Sequence, residues 1–466
     1  MAPKFGTSGL RGLVTELTDD LVADYTRAFL SACRVGGSPE GGRLWIGEDL
    51  RPSSPRIAAT VAAAARAMGI DVILAGPLPT PALAMASMAD GAAAIMVTGS
   101  HIPADRNGLK FYLPTGEIAK ADEAAITAAR GQTPGTFPAG KERRDDAAGA
   151  AYVRRYVTGF GAGALSGLRI GIWQHSSVAR DLLADVLEGL GARAVPLDRS
   201  EVFVPVDTEA VDEGTRARLA GWCAEHKLDA LVSTDGDADR PMLAAASGDI
   251  VPGDILGPLT AQLLGAEVLV TPVNSNSGVD AMGFGEVLRT RIGSPFVIAG
   301  MEERAGARVV GYEANGGFLL GYEASGPAGG PLAPLMTRDS VLPIVAPLVA
   351  ARAAGQSLED LVSALPPRFT AADRLQGIDT DKARAFLETL DAPEARAAFF
   401  DTGAAESALD RTDGLRVSFA NDTVVHLRPS GNAPEFRCYA EAESPETAQR
   451  LLERHLAKLT EALGGG

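Results

Sequence analysis

Short, uninterrupted apolar runs alternate with amphipathic stretches along most of the chain. Strands built on such runs are predicted at 44–47, 92–97, 230–233, 268–271, 296–298 and 308–311. The length and composition of these runs are typical of strands covered on both faces of a sheet. The stretches between them, for example 57–68 and 213–226, carry apolar residues at helical spacing. The repeated order of strand and helix predicts an α/β architecture.

The C-terminal part of the chain has a different pattern. Leu415–Phe419 and Thr423–Leu427 alternate like the strands of a hairpin, and Pro445–Leu463 has helical spacing, so we expect an α+β domain here. Pro366-Pro367 marks a linker before it. At about 150 residues per domain, the chain of 466 residues is long enough for three or four domains. We divide it into 1–149, 150–252, 253–365 and 368–466.

The apolar run at 92–97 leads directly into Thr98-Gly99-Ser100-His101. Ligands of open α/β sheets bind where strands end, so Ser100 in this serine loop (residues 98–105) is the candidate reacting group. A serine hydrolase would have Gly-x-Ser-x-Gly and a base far away in sequence. His101 is the next residue and is poorly placed to act as that base, which disfavours this class.

Lys110 follows the serine loop on a predicted strand. Asp105-Arg-Asn-Gly108 predicts a turn, and the alternation of Leu109–Tyr112 predicts the strand after it. Such a hairpin would bring Lys110 back toward Ser100, where an ammonium group can act as an acid or base or stabilise a phosphoryl group. The alternative is an exposed lysine on a strand.

Three carboxylates stand at every other position in Asp235-Gly-Asp237-Ala-Asp239-Arg240, the acidic loop (residues 235–240). Such crowding is unfavourable unless a cation neutralises it. A calcium-binding EF-hand would need Gly and Glu at the sixth and twelfth positions, where this chain has Arg240 and Ala246. We therefore predict a Mg²⁺ site with open coordination positions, against the alternative of a solvated acidic turn.

Two further loops carry polar side chains between apolar stretches. Phe5–Gly12 is rich in glycine and contains Arg11, so its amides and guanidinium can bind an anion, or it is a plain turn before a helix. The Glu-Asn loop (residues 313–317) presents Glu313 and Asn315, which suit neighbouring hydroxyls of a sugar. Asn-Gly alone is chiefly a turn signal.

The C-terminal loop (residues 428–437) combines two arginines with a tight turn. Arg428 and Arg437 flank Ser430-Gly431-Asn432, an arrangement suited to bidentate binding of a phosphate. The alternative is a hairpin turn with surface arginines.

Charge and cysteine content narrow the class of protein. The net charge of −16 argues against nucleic acid or an anionic membrane as a partner, because both attract a positive surface. The three cysteines have no spacing typical of a metal site or a disulfide framework. The first residues lack a charged leader followed by an apolar core, so we expect a cytoplasmic protein.

The serine, acidic, Glu-Asn and C-terminal loops, in this order, resemble those of the α-D-phosphohexomutase superfamily. The resemblance covers nearly the whole chain. It implies three related α/β domains with mixed sheets plus a C-terminal α+β domain, arranged around a central cleft. It also implies interconversion of hexose 1-phosphates and 6-phosphates through a phosphoserine and a hexose 1,6-bisphosphate.

The resemblance assigns roles to the candidate residues. It implies that Ser100 is the nucleophile and that Lys110 is an acid/base. His101 would be a supporting hydrogen-bond donor, and Arg11 and Arg240 would stabilise charge. The other roles implied are Mg²⁺ ligands for Ser100, Asp235, Asp237 and Asp239, sugar contacts for Glu313 and Asn315, and phosphate contacts for Arg428, Ser430, Gly431, Asn432 and Arg437.

The details of the loops look most like those of bacterial phosphomannomutases, which favours mannose phosphate as substrate. Where the family often has Ser-Gly-His, this chain has Asn315-Gly316-Gly317. Phosphoglucomutase and dual specificity are the alternatives within the family. Outside it, a sugar-phosphate-binding protein or a metal-dependent phosphatase would use the same groups. We expect one Mg²⁺ per active site, a hexose 1,6-bisphosphate activator, and a monomer or homodimer.

Overall fold

The structure is a computed structural model, which describes residues 3–6, 9–33, 42–132, 135–430 and 435–463. The first part of the chain forms a mixed sheet with the strand order β1-β2-β6-β5-β3-β4-β8, in which β7 pairs with β6. The strands are β1 (Lys4–Phe5), β2 (Leu10–Leu13), β3 (Arg43–Glu48), β4 (Asp71–Pro77), β5 (Ala93–Val97), β6 (Arg106–Leu113), β7 (Gly116–Glu117) and β8 (Glu142–Arg144). The helices are α1 (Asp19–Ala32), α2 (Ser54–Ala67), α3 (Thr80–Ala89) and α4 (Lys120–Ala129).

The second sheet has the order β10-β9-β11-β12, with β9, β10 and β11 parallel and β12 antiparallel to β11. Its strands are β9 (Arg169–His175), β10 (Arg193–Arg199), β11 (Ala230–Thr234) and β12 (Pro241–Ala245). The helices here are α5 (Ala148–Phe160), α6 (Arg180–Gly189) and α7 (Glu213–His226).

The third sheet repeats this plan, with the order β14-β13-β15-β16-β19 and a change to antiparallel pairing at β16. Its strands are β13 (Val268–Pro272), β14 (Glu286–Thr290), β15 (Val309–Tyr312), β16 (Phe318–Leu320) and β19 (Leu335–Asp339). Two further strands, β17 (Ala324–Ser325) and β18 (Pro331–Leu332), form a separate ribbon. The helices are α8 (Gly253–Leu264), a 3₁₀ helix (Ser277–Ala281), α9 (Ser294–Glu302), α10 (Val341–Ala354) and α11 (Leu358–Ser363).

The last sheet is antiparallel throughout, with the order β20-β24-β23-β22-β21. Its elements are β20 (Phe369–Gln376), α12 (Thr380–Thr389), α13 (Pro393–Phe400), β21 (Glu406–Asp410), β22 (Leu415–Phe419), β23 (Val424–Pro429), β24 (Glu435–Ala442) and α14 (Pro445–Leu463). The α14 side chains buried on the sheet, among them Leu452 and Leu459, recur at helical spacing. The fold class predicted from the sequence, α/β followed by α+β, is confirmed.

One predicted strand is wrong. Phe296–Ile298 lies inside helix α9, because Pro295 stands in the first turn, where its missing N–H costs nothing. Val297 and Met301, four residues apart, form the buried side of the helix. A short apolar run fits a strand and a buried helix equally well, and these flanking residues decide between them.

One topological feature places the loops. In each of the first three sheets, the strand at one border of the parallel block is followed in the chain by an antiparallel neighbour: β5 by β6, β11 by β12, and β15 by β16. The serine, acidic and Glu-Asn loops are these three connections, and the C-terminal loop connects β23 to β24. Each loop therefore begins where a buried strand ends.

A hydrophobic cluster extends from the first sheet to the third and includes Met96, Val232 and Val310. The antiparallel sheet has a core of its own. Of the helices in the described ranges, none is long and apolar enough to cross a membrane.

Each sheet with its helices is called a unit below. Asp339, at the end of β19, ties the second unit to the third. Its carboxylate accepts hydrogen bonds from the hydroxyls of Tyr152 (2.7 Å) and Tyr156 (2.5 Å) on α5 and from the backbone N of Val341 (2.9 Å) at the start of α10. All these groups are buried. Burying two hydroxyls and a helix terminus is tolerable only while this acceptor is present.

We therefore expect Asp339→Ala to lower the free energy of unfolding by about 3 kcal/mol, since it leaves two buried hydroxyls without an acceptor. The measurement is the midpoint of urea denaturation. Asp146→Ala, at an exposed position, is the control and should shift stability by less than about 0.5 kcal/mol. Equal midpoints for the two variants would contradict this account of Asp339.

Candidate active site

Ser100 is held in an uncommon backbone conformation at the start of the serine loop. Its φ is +54°, in the left-handed region, and its side chain is buried. Its Oγ donates to Oδ2 of Asp235 in the acidic loop, at 2.6 Å. The Nδ1 atom of His101 lies 3.4 Å from the same Oγ. The fold thus places the predicted nucleophile against the predicted metal loop, 135 residues away in sequence.

The acidic loop folds so that its three carboxylates converge. Ala238 adopts a positive φ of +59°, and the backbone N–H groups of Asp239 and Arg240 donate to Oδ1 of Asp235. One oxygen from each of Asp235, Asp237 and Asp239 lies within 4.8 Å of the others. All three side chains are buried.

Burial and crowding act differently on these carboxylates. Burial, with the negative charges of Asp237 and Asp239, raises the pKa of Asp235 well above its ordinary value. Burial also acts to raise the pKa of Asp239, but Arg338 and Lys110 outweigh it and the pKa is lowered. A cation beside Asp235 would relieve its repulsion by the other two.

The loop fits a hard divalent cation. Oδ1 of Asp237 and Oδ1 of Asp239 are buried and have no hydrogen-bond partner. A buried carboxylate oxygen without a partner is costly, and coordination to a metal removes that cost. Because carboxylate oxygens are the ligands that Mg²⁺ prefers, Asp235, Asp237 and Asp239 suit this ion.

Lys110 lies beside the carboxylates of the acidic loop, on the second strand of a hairpin as predicted, but the turn before it ends at Asp105 and not at Gly108. Its Nζ donates to Asp237 (2.6 Å) and Asp239 (2.5 Å). Asn107 and Gly108 belong to strand β6 and not to a turn, and they pair with β2. Glycine is required there because a Cβ would lie 2.2 Å from the carbonyl oxygen of Leu10.

Two residues that complete this cluster have no recognisable pattern in the sequence. Arg338 on β19 is buried, and its guanidinium bridges Asp239 (2.8 Å) and Glu313 (3.1 Å). Thr80, at the start of α3, donates to Oδ2 of Asp237 at 2.6 Å. The contacts with Asp237 and Asp239 join residues that are far apart in sequence, so only the folded chain shows them.

The cations around the serine loop affect one another. Burial, and then the positive charges of Arg240 and Arg338, lower the pKa of Arg11 on β2 to about 10. Burial, Arg240 and Arg11 also lower the pKa of His101 well below its usual value, so its imidazole is neutral at pH 7. Arg240 lies 3.4 Å from Glu209. Neutral His101 can donate one hydrogen bond without adding charge.

The Glu-Asn loop uses its two predicted side chains differently. Glu313 is held by Arg338, which joins it to the acidic loop. The Oδ1 of Asn315 accepts from the backbone N of Gly317 at 3.0 Å and so closes the turn itself. Of these two side chains, Glu313 is therefore the one linked to the acidic loop, through Arg338.

The C-terminal loop is described only at its two ends. Arg428 lies 2.9 Å from Asp413, and Arg437 lies 3.3 Å from Glu435. The backbone N of Ser430 donates to the carbonyl of Glu435 at 2.8 Å, as expected of a hairpin. Gly431 and Asn432 lie outside the described residues, as do Thr7 and Ser8 of the loop before Arg11.

Together these groups form a buried hydroxyl beside a carboxylate cluster that fits a metal, with cations from separate sheets around it. A phosphoryl group on Ser100 would meet Lys110 and the arginines, which suit its charge. Phosphoryl transfer depends almost entirely on such positioning and charge stabilisation.

Comparison with known proteins gives matches along nearly the whole chain. Models of Phosphoglucomutase/phosphomannomutase match as follows: alpha/beta/alpha domain I at residues 2–133, domain II at 150–248, domain III at 252–369 and the C-terminal domain at 379–458. A phosphomannomutase of Sinorhizobium fredii is 46% identical, with 99% of this chain and 100% of that protein covered. One of Salmonella muenchen is 42% identical, with 99% and 96% covered.

A solved structure shows the same fold. The crystal structure of a phosphoglucomutase/phosphomannomutase family protein of Burkholderia thailandensis superposes with a TM-score of 0.77. It is 23% identical, with 98% of this chain and 97% of that chain covered.

The orphaned carboxylate oxygens predict how the protein responds to metal. At about 100 times its dissociation constant, Mg²⁺ should stabilise the fold by about 2.7 kcal/mol, seen as a higher unfolding temperature than in a chelator. Asp235→Asn should remove most of this increase. Without metal it should be at least as stable as the unchanged protein, because it removes one of three crowded charges. Asp249→Asn, at an exposed position of the same unit, is the control. An undiminished response to Mg²⁺ in Asp235→Asn would show that the ion binds elsewhere.

Proposed function

The chain belongs to the phosphoglucomutase/phosphomannomutase family, and we propose that it interconverts mannose 1-phosphate and mannose 6-phosphate through a phosphoserine at Ser100. It is an isomerase that acts as an intramolecular phosphotransferase. The observation that carries the assignment to Ser100 is its hydrogen bond to Asp235, at 2.6 Å, beside the Lys110 ammonium. The relatives at 46% and 42% identity, both named phosphomannomutase, support mannose phosphate as the substrate.

In the proposed reaction, phosphorylated Ser100 donates to a free hydroxyl of the hexose monophosphate. The hydroxyl oxygen bonds to phosphorus while the bond from phosphorus to Oγ breaks, giving a hexose 1,6-bisphosphate. Lys110 carries the hydroxyl proton to the leaving Oγ. The bisphosphate then reorients in the cleft, so that its other phosphate faces Ser100. That phosphate is transferred to Ser100 by the same steps in reverse.

The surrounding residues stabilise and orient the reacting groups. Members of this family depend on Mg²⁺; Asp235, Asp237, Asp239 and an oxygen on Ser100 would hold it, and when bound it supplies Lewis-acid stabilisation of the phosphoryl oxygens. Arg11 and Arg240 stabilise the same charge, and neutral His101 donates a hydrogen bond.

The distal groups hold the part of the substrate that does not react. Glu313 and Asn315 contact the sugar hydroxyls. Arg428, Ser430, Gly431, Asn432 and Arg437 bind the phosphate that stays on the sugar. Because the two phosphates exchange places, this loop must accept either end of the hexose.

Burial of Ser100 favours transfer to a sugar over transfer to water. The residue is 1% exposed, so a hexose phosphate bound against a phosphoserine there would leave little room for water beside it. A phosphatase would need the opposite arrangement. The hexose 1,6-bisphosphate activator, the divisions of the chain at 149, 252 and 365, the cytoplasmic location, and the monomer or homodimer stay predictions.

We expect Ser100→Ala to lower kcat by more than about a thousandfold, because it removes the phosphoryl carrier, while sugar-phosphate binding persists. Turnover is measured by a coupled assay and binding by calorimetry. Ser87→Ala, which removes another buried serine hydroxyl from the same unit, is the matched control and should keep its turnover. Normal turnover in Ser100→Ala would refute the phosphoserine mechanism.

The choice of sugar is tested by comparing mannose 1-phosphate, glucose 1-phosphate and glucosamine 1-phosphate with Mg²⁺ and a bisphosphate primer. We expect kcat/KM for the mannose compound to exceed the others by at least about tenfold, a typical discrimination by a few contacts. Equal use of mannose and glucose phosphates would make the protein a dual-specificity mutase. Binding of all three without turnover would favour a sugar-phosphate-binding protein.

A further inference from the structure

The backbone of the serine loop is wrapped around one guanidinium group. Arg51, which follows β3, donates through Nη2 to the carbonyl oxygens of Ser100 (2.8 Å) and Ile102 (2.6 Å). Through Nη1 it donates to those of Pro103 (2.7 Å) and Arg106 (3.1 Å). Three carbonyls of the serine loop and that of Arg106, the first residue of β6, thus share a single side chain.

Arg51 is itself fixed on its other side. Its Nε donates to Oδ2 of Asp49 at 3.0 Å, and the guanidinium is completely buried. The same carboxylate accepts from the hydroxyl of Thr98 (2.7 Å), whose Oγ1 accepts from the backbone N of Ser100 (2.8 Å). Asp49 and Arg51 therefore hold both the N–H and the carbonyl of Ser100.

The packing leaves no space for the loop to shift. A Cβ at Gly99 would lie 2.8 Å from the guanidinium carbon of Arg51. This contact requires glycine at position 99. It also means that the loop cannot move toward Arg51.

The free face of the guanidinium meets a residue from the second unit. The ring of Phe203, between β10 and α7, lies 4.0 Å from the guanidinium carbon. A Cβ at Gly236, in the acidic loop, would lie 3.0 Å from this ring and 3.1 Å from the carbonyl oxygen of Ser100. The Phe203 ring thus lies between Arg51, which holds the serine loop, and the backbone of Gly236 in the acidic loop.

We propose that Arg51 is a positioning residue for phosphoryl transfer, which sets the place of Ser100 and, through Phe203, fixes it relative to the acidic loop. This inference rests on the proposed function, since it explains how Ser100 is placed for that reaction. Arg51 has no contact with Ser100 Oγ and acts only through the backbone. A displacement of about 1 Å at a reacting atom can cost about a hundredfold in rate, which is the scale of effect expected here.

Lysine cannot replace this arginine. The guanidinium uses donors on all three nitrogens in a fixed plane, whereas an ammonium has three donors on one atom. Arg51→Lys keeps the positive charge that balances Asp49 and leaves carbonyls of the serine loop without their donor. The variant therefore changes loop geometry more than local charge.

The experiment compares Arg51→Lys with Arg396→Lys in the full-length protein. Arg396 is the matched control, because it is also buried and also donates to a carboxylate, of Glu406, and to backbone carbonyls, but in the C-terminal unit. We expect Arg51→Lys to lower kcat by about a hundredfold while KM changes by less than about threefold. It should keep most of the increase in unfolding temperature with Mg²⁺, because the three carboxylates are intact and only the position of the Ser100 oxygen changes. Arg396→Lys should lower the unfolding temperature and leave kcat unchanged.

Phe203→Leu is the second variant, and it decides the matter if Arg51→Lys does not fold. It keeps an apolar side chain and removes the aromatic face, so we expect kcat to fall by about tenfold with KM little changed. An unchanged kcat in Arg51→Lys, or in Phe203→Leu where only that variant folds, would overturn the inference. So would a loss of kcat in Arg51→Lys no greater than in Arg396→Lys.

A separate measurement distinguishes failure of this inference from failure of the proposed function. It is the phosphate on Ser100 of the unchanged protein, detected by intact mass after bisphosphate treatment. Its absence would refute the proposed function, and its presence with unaffected variants would refute only this inference.

Discussion

The buried charges of the acidic loop constrain how the first three units assemble. The carboxylates of Asp237 and Asp239 are buried, and burying an ion without a partner costs several kcal/mol. The compensating cations come from other sheets: Lys110 from the first and Arg338 from the third. The acidic loop is therefore electrostatically incomplete until all three sheets have met around it. The same contacts that assemble the units build the site.

A shared topology makes this meeting possible. In three successive sheets the strand at one border of the parallel block turns back into an antiparallel neighbour, so each unit presents one short loop at the end of a buried strand. Ser340, which directly follows β19, shows how closely the third unit approaches the acidic loop, since its hydroxyl donates to the carbonyl of Ala238 at 2.7 Å. The next residue toward the N-terminus, Asp339, binds α5, and the one before it, Arg338, binds the acidic loop. Three consecutive side chains thus connect the third unit to the second.

The sequence predicted what local patterns can encode. A strand ending in Ser100, and three aspartates at alternate positions, are signals within a few residues, and the structure brings the two together. Thr80 and Arg338 carry no such signal, because their roles depend on partners 157 and 99 residues away. The glycine of Asn107-Gly108 suggested a turn, but it serves the close approach of β2. The sequence shows a glycine at position 108, but only the structure shows that the carbonyl oxygen of Leu10 on β2 requires it.

The Glu-Asn loop shows how packing limits the means of recognising the sugar. This chain has Gly317 where the family often has an imidazole, and a Cβ at this position would lie 2.8 Å from Cγ of Arg338. A side chain there would displace the arginine that joins Glu313 to Asp239. The oxygen of Asn315 is already engaged by the backbone of Gly317, so this loop offers chiefly the carboxylate of Glu313. The stem of Arg338 thus lies against Gly317, and in the proposed reaction the sugar contact of this loop rests on Glu313, which Arg338 holds.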